Sequence, residues 1–438
     1  MKMKTQTLPF MPADILLPKN CSMPLWSVVA CDQYTSQPEY WERVEQNVGE
    51  EYSTLRMVLP ESHLKMSDVE NRIIEINQTM TRYLQNDVFQ EYPNSLIYVE
   101  RSLSNGKLRR GLIGKADLEQ YDYRPNFGGM IRATEGTVVE RIPPRMRVRE
   151  NAPLEFPHIL LLMDDIECSV VEPLGKQTGE MKLLYNFELM EGGGHIQGWL
   201  LTEAHMAQVA QALEKLSDPK IFSRKYGTEE GTVMLFAVGD GNHSLATAKA
   251  CYEQEKQRTK PEQWSDLLSR YALVELGNLH DESLEFEPIH RIVMGVEPEK
   301  LLSDLCERMP GAYIGEGEGY GFQYVYAGQR GAITIANPKY QLPVAALQNF
   351  LDAWMKEHTE AEVDYIHGAD VAVELAEKPQ TIAFLLPAME KRELFPSVIY
   401  DGVLPRKTFS VGEAKDKRFY LEGRRIQGRD KREASDHA

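Results

Sequence analysis

The ten residues Phe236-Ala-Val-Gly-Asp-Gly-Asn-His-Ser-Leu245 limit the fold more than any other stretch, because an apolar run breaks at Gly239 into a short polar turn that opens a helix. Thr232 to Val238 reads as a buried strand. Ser244 to Gln257 carries apolar residues at Leu245, Ala248, Cys251 and Tyr252, the spacing of one helix face. The N–H groups of the first helical turn then point out at Asp240, Gly241, Asn242 and His243, where they and the helix dipole favour a phosphate. Gly239 and Gly241 permit a positive φ and a close backbone approach, and Ser244 follows them into the helix. Asp240 and His243 add a carboxylate and an imidazole, the groups that proton transfer or metal binding needs. The same residues also read as an ordinary strand-to-helix connection with Asp or Asn as a routine cap.

A chain of 438 residues is long enough for two or three domains and a large core. Its 49 basic and 66 acidic residues leave a net charge of −17, which argues against a broad nucleic-acid surface or an anionic membrane as partner. The five cysteines (Cys21, Cys31, Cys168, Cys251 and Cys306) are widely spaced and form no C-x-x-C pair, so neither a disulfide framework nor a zinc site is indicated. The first residues lack an apolar core of signal-peptide length, and no run of about 18 apolar residues occurs. These features predict a soluble, cytoplasmic protein; oligomeric state is not encoded in them.

An α+β architecture with mixed sheets follows from the order of signals. Residues 1–123 read as an amino-terminal α+β region, with capping boxes at Ser36-Gln-Pro-Glu39 and Ser67-Asp-Val-Glu70. The second box precedes Ile73, Ile76, Met80, Tyr83 and Leu84 at helical spacing. Strands at Ser95–Val99 and Leu108–Ile113 flank the hairpin signal Ser104-Asn-Gly106. Residues 124–293 form the chemical core, with strands expected over Leu183–Leu189 and Trp199–Thr202. The turn between them, Glu191-Gly-Gly-Gly194, reads as a hairpin closure or a phosphate cradle. Residues 294–423 mix helix (Val344–His358) with strand (Thr381–Leu386), and the charged segment 424–438 reads as a frayed tail.

The densest polar constellation runs from Ile131 to Glu150 and holds Arg132, Glu135, Thr137, Arg141, Arg145, Arg147 and Arg149. Guanidinium groups grip phosphate oxygens in bidentate fashion, and here they concentrate positive charge in an acidic chain. They also read as a solvated face paired with Glu140, Glu150 and Glu155. Pro143-Pro144 argues against a long helix, which would put the arginines on extended chain. Asp164 and Asp165, after the apolar run from Pro157, are candidate magnesium ligands or turn formers. His195 and His290 read as structural histidines, since no H-E-x-x-H spacing exists. In Leu404-Pro-Arg-Lys-Thr-Phe409 two cations and a hydroxyl share a loop that can reach a phosphate. Walker A, G-x-S-x-G and kinase glycine-rich motifs are all missing from the sequence.

Arg132-Ala-Thr-Glu-Gly-Thr-Val138, Asp240-Gly-Asn-His-Ser244 and Pro405-Arg-Lys-Thr408 together resemble the DUF1015 family over nearly the whole chain. Its His-Glu-x-Thr block becomes Thr134-Glu135-Gly136-Thr137, with the glutamate and threonine kept. Its Asp-Gly-His-His-Arg block becomes Asp240-Gly241-Asn242-His243-Ser244, with serine in place of the arginine. Pro405, Lys407 and Thr408 match the late element. The second block is similar to the phosphate-binding turn of the ParB and sulfiredoxin superfamily, to which free-serine kinases belong.

The resemblance implies a ParB/sulfiredoxin-like core and phosphoryl transfer from pyrophosphate, ADP or ATP, with Mg2+, to the hydroxyl of free L-serine. In that reading Glu135 or Asp240 is the base and His243 binds phosphate or moves a proton. Gly239, Gly241, Asn242, Ser244, Thr137, Arg141, Arg145, Arg147, Arg149, Lys407 and Thr408 hold phosphate, and Asp164 and Asp165 hold the metal. The alternatives are a non-catalytic nucleotide sensor and a phosphatase or other hydrolase.

Overall fold

The computed structural model describes residues 7–64, 66–124, 127–229 and 233–428. Its fold is α+β with mixed sheets. Contacts divide the chain into two units. The first is Met1–Ala133, Thr137–Leu284 and Glu413–Ala438; the second is Thr134–Gly136 and Glu285–Gly412. These limits differ from the expected ones near residues 123 and 293, because one sheet runs through the first of those boundaries.

That sheet has the order Lys182–Glu188, His195–Leu200, Ile97–Ser102, Leu108–Asp117, Tyr271–Asn278, Leu160–Met163, Phe236–Asp240, Ile131–Arg132 and Tyr121–Asp122. Phe10–Met11 adds to it beside Leu108–Asp117. Leu160–Met163 is buried throughout, as a central strand covered on both faces must be. It runs parallel to Tyr271–Asn278 and antiparallel to Phe236–Asp240. Lys182–Glu188, at the sheet edge, instead alternates toward solvent. The hairpin at Ser104–Gly106 forms as read, with Gly106 at φ 80°. The triple glycine also closes a hairpin: the Leu189 amide donates to the Gly194 carbonyl, and a Cβ on Gly194 would lie 2.0 Å from the Ser102 oxygen. The cradle reading of that turn finds no support in this geometry.

Helices Pro38–Val48 and Val69–Gln85 form, but neither starts at the expected box. Gln37 and Asp68 occupy the N-cap positions without a side-chain cap, and Pro38 supplies the preset φ of a first helical residue. Ile73, Ile76, Met80 and Tyr83 face a core in which the Trp26 ring meets Phe89 and Phe156 edge-on. The second unit is built on a seven-stranded sheet ordered Ala312–Ile314, Gln329–Ile335, Tyr320–Tyr326, Thr381–Leu385, Phe286–Met294 and Glu362–His367, with Phe409–Val411 beside Phe286–Met294. Ile292, Val325 and Ala383 of this sheet form one core cluster with Ala372 and Ala376.

The start of the expected tail is not frayed. Arg424–Arg425 pairs with Leu154–Glu155 in the first unit, and Arg424 is buried against the Glu155 carboxylate. Arg418 is buried between Glu275 and Glu422. The fully buried Arg101 donates to the carbonyls of Gly193, Lys415 and Lys417. A segment poor in apolar residues is thus held by buried, hydrogen-bonded charge, which sequence polarity does not distinguish from exposure. Residues 429–438 lie outside the described residues.

Candidate functional site

The strand expected from Thr232 is Phe236–Asp240, and it continues through Gly239; Thr232 itself lies outside the described residues. Gly239 keeps an extended conformation, so the reversal falls on Gly241 at φ 78°. A Cβ there would sit 3.0 Å from the Ile159 Cα, so this position requires glycine on both counts. The helix begins at Asn242, two residues earlier than read, and runs to Lys256. His243 and Ser244 therefore belong to its first turn, at the positive end of its dipole.

The side chains of this turn are tied to distant parts of the first unit. Asp240 Oδ1 accepts from the Gly241 amide at 2.8 Å, and Asp240 Oδ2 lies 3.1 Å from Lys417 Nζ. The Val138 amide donates to His243 Nε2 at 3.4 Å, which joins the end of the first sequence block to the second. Next to it, the Thr137 hydroxyl is buried and has no hydrogen-bond partner among the described residues. A polar atom in that condition calls for a ligand or a water.

Ser244 leads to a cluster that the sequence did not reveal. Its Oγ is 3.5 Å from Nε2 of the buried His158, whose Nδ1 is 2.8 Å from the Tyr420 hydroxyl. Asp32 Oδ2 lies 3.5 Å from the same Nε2. Burial pushes the His158 pKa down, but Asp32 and, farther off, Asp240 and Glu61 raise it by more, so it sits above its ordinary value. For Asp32 burial acts upward, and His158, Gln33 and Lys417 overcome it to hold the carboxyl well below the usual range. The shifts of the two favour the charged form of each, in a pair whose imidazole is buried and whose carboxylate is partly exposed. His158, Ser244 and Tyr420 line a cavity of about 160 Å³ together with Met57, Leu59 and Phe156.

The arginines behave otherwise than expected. Ile142–Arg149 is a helix, because Pro143 and Pro144 fall in its first turn, where a missing N–H is tolerated. Arg145 pairs with Glu61, Arg147 with Glu70 and Arg149 with Glu155, while Arg141 is exposed. Three of the four are thus committed to carboxylates, though of the expected partners Glu140, Glu150 and Glu155 only Glu155 is among them, because the helix turns Arg145 and Arg147 toward Glu61 and Glu70.

Asp164 and Asp165 are also committed internally. Asp165 accepts from the amides of Ser169 and Val170 and from the Ser169 hydroxyl. Asp164 receives Tyr226, His280 Nε2 at 2.6 Å and Lys225 at 2.8 Å. Burial raises its pKa, yet these donors outweigh that and hold it at about 2. Neither carboxylate presents the open oxygens that a hard cation needs, and no group of three or more His, Cys, Asp or Glu among the described residues is arranged to hold a metal ion. His195 bonds Glu188 and Asn186, and His290 Nδ1 accepts from the buried Leu386 amide, so each has internal partners, as a structural histidine would.

In the second unit, Glu135 Oε1 accepts the Lys407 amide at 3.2 Å, and the backbone of Thr134 and Gly136 bonds Leu404 on either side. Two blocks read separately in the sequence are therefore adjacent. Lys407 takes φ 58°, which a lysine adopts only when its surroundings enforce it. The enforcement comes from Arg291, fully buried, which donates to the Lys407 and Arg406 carbonyls. The Thr408 hydroxyl turns back to the Pro405 carbonyl at 2.6 Å, so it caps the loop. An open cleft of about 800 Å³ elsewhere in this unit is lined by none of the residues singled out in these blocks.

The sequence matches the family described as a protein of unknown function, DUF1015, over residues 12–387, and the chain belongs to that family. Among solved structures it is similar to a free serine kinase in complex with AMP, at 13% identity over 72% of this chain and 90% of that one, with a TM-score of 0.38. It is also similar to a conserved hypothetical protein from Pyrococcus furiosus, at 13% identity over 69% and 96%, with a TM-score of 0.34. A third is SbnI with a C-terminal truncation from Staphylococcus aureus, at 8% identity over 68% and 82%, with a TM-score of 0.36. No curated protein matches the sequence. No helix among the described residues is long and apolar enough to cross a membrane.

Proposed function

We propose that this protein is a phosphotransferase that moves a phosphoryl group from pyrophosphate, ADP or ATP to the hydroxyl of free L-serine. The observation that carries the reading is the junction of Val138 with His243. It sets the partnerless Thr137 hydroxyl beside a helix N-terminus that already holds an imidazole and the Asp240–Lys417 pair. Phosphoryl transfer asks a protein for positioning, charge neutralisation and a proton acceptor, and these groups supply each. The first-turn amides and Thr137 hold phosphate oxygens, Lys417 offsets their charge, and Asp240 takes the acceptor proton. Magnesium enters this reading as an ion carried by the donor phosphates rather than one seated on Asp164 and Asp165.

The test is incubation with L-serine and magnesium plus pyrophosphate, ADP or ATP in separate reactions, with phosphoserine as the product followed. Absence of phosphoserine with all three donors sinks the serine kinase. Nucleotide binding without transfer identifies a sensor, and phosphate release without a phosphorylated acceptor identifies a hydrolase. Asp240→Asn should lower kcat at least about a hundredfold with the fold intact. Full activity in that variant removes Asp240 from the mechanism.

A further inference from the structure

We propose that the pair formed by the buried His158 and the partly exposed Asp32 controls anion binding at the Gly239–Ser244 turn: with the imidazole protonated the pair is neutral and the turn accepts a phosphate, and with the imidazole neutral the remaining Asp32 carboxylate repels one. The inference rests on the phosphate reading of that turn. His158 is a positioning residue here, acting through Ser244, which is the third residue of the helix and 3.5 Å from Nε2.

The hydrogen bonds fit an imidazolium, which has two N–H donors and no acceptor. Nδ1 donates to the Tyr420 oxygen, whose own proton goes to Cys31 Sγ at 3.0 Å. Nε2 faces the Asp32 carboxylate and the Ser244 hydroxyl. The other charged groups facing this cluster are matched: Asp240 from the turn pairs with Lys417, and Glu61 pairs with Arg145. Burial, followed by the nearby Asp32, pushes the Cys31 thiol up to about 12, and burial also drives the Tyr420 hydroxyl well above its ordinary value. Neither changes charge near neutral pH. The imidazoles at this turn are that of His158, within the cluster, and that of His243, which accepts the Val138 amide.

Removing one unit of positive charge 3.5 Å from the Ser244 hydroxyl of the turn is expected to weaken anion binding there by about tenfold. By linkage, a bound anion must raise the His158 pKa by the same factor. The experiment follows the C2 proton resonance of His158 by NMR across pH with and without inorganic pyrophosphate, alongside calorimetry on wild type, His158→Gln and the Asp32→Asn/His158→Gln double variant. Pyrophosphate should raise the His158 pKa by about one unit, and wild-type affinity should fall about tenfold as pH rises through it. His158→Gln should bind weakly at every pH because Asp32 stays charged. The neutral double variant should recover the low-pH affinity and lose the excess pH dependence.

An unmoved His158 pKa in protein that binds pyrophosphate overturns the inference, as does a His158→Gln profile identical to wild type, and either result leaves the phosphate reading standing. Failure of wild type to bind pyrophosphate at any pH overturns both. The NMR titration needs no variant, so it decides the matter even if a substitution prevents folding.

Discussion

Glu155 shows how a single residue redirects a motif. Its carboxylate is buried and accepts from Arg149, Arg424 and the Leu273 amide. That pairing takes Arg149 out of the run of arginines that looked like a phosphate grip. Burial pushes the Glu155 pKa up, but Arg149 and Arg424 overcome it and leave the pKa lowered. A carboxyl with a depressed folded pKa contributes stability that is present above its unfolded value, about 4.3, and is lost as pH falls through the folded value. Glu155→Gln strands the buried guanidinium of Arg424 and the partly buried one of Arg149 and should cost about 3 kcal/mol in urea unfolding at neutral pH. The deficit should shrink on acidification, and a pH-independent deficit would mean that packing rather than charge sets the effect. His158 has the opposite sign: its contribution is complete below about 6.5 and fades as pH rises through its raised folded pKa.

Among elements, the strand, turn and helix from Phe236 to Lys256 were legible because buried periodicity and paired glycines are local signals. Their exact junction was not, since the choice between Gly239 and Gly241 as the reversal depends on Leu162 and Ile159 in a neighbouring strand and its approach. Gly241→Ala combines a positive φ with a 3.0 Å approach to the Ile159 Cα and should destabilise by about 1–3 kcal/mol, read as a lower urea midpoint with unchanged m-value. A wild-type midpoint would show that the turn relaxes without strain. The helix Ile142–Arg149 was misread because two prolines argue against a helix only beyond its first turn. Asp32, His158 and Lys417 were missed for another reason. Each is a lone polar residue whose partner lies far away in the chain, so no spacing rule connects them. Glu135 and the Pro405–Thr408 loop were both found as motifs, yet only the fold shows the Lys407 amide on the Glu135 carboxylate.

On the scale of the whole molecule, the first unit needs residues from both sides of the second in sequence. Trp26 Nε1 donates to the Leu421 carbonyl, Phe419–Tyr420 pairs with Val28–Val29, and Arg418 and Arg424 balance the buried carboxylates Glu275 and Glu155. A chain ending at Gly412 lacks all of these, leaving two buried carboxylates without these partners. It should show reduced near-UV circular dichroism and bind a hydrophobic dye, whereas a chain ending at Gly428 keeps the contacts and should match wild type. Native spectra from the shorter chain would show that the segment is dispensable.

The late position of Glu413–Gly428 also sets an order of events during translation. A ribosome making about 5–20 residues per second completes the stretch from Glu285 to Gly412 before it delivers the strand that pairs with Val28–Val29. The segments before Glu285 must wait, with Trp26 and its aromatic neighbours unsealed, for several seconds to tens of seconds. The part synthesised later can therefore fold earlier, and the first unit closes only once Glu413–Gly428 has been delivered.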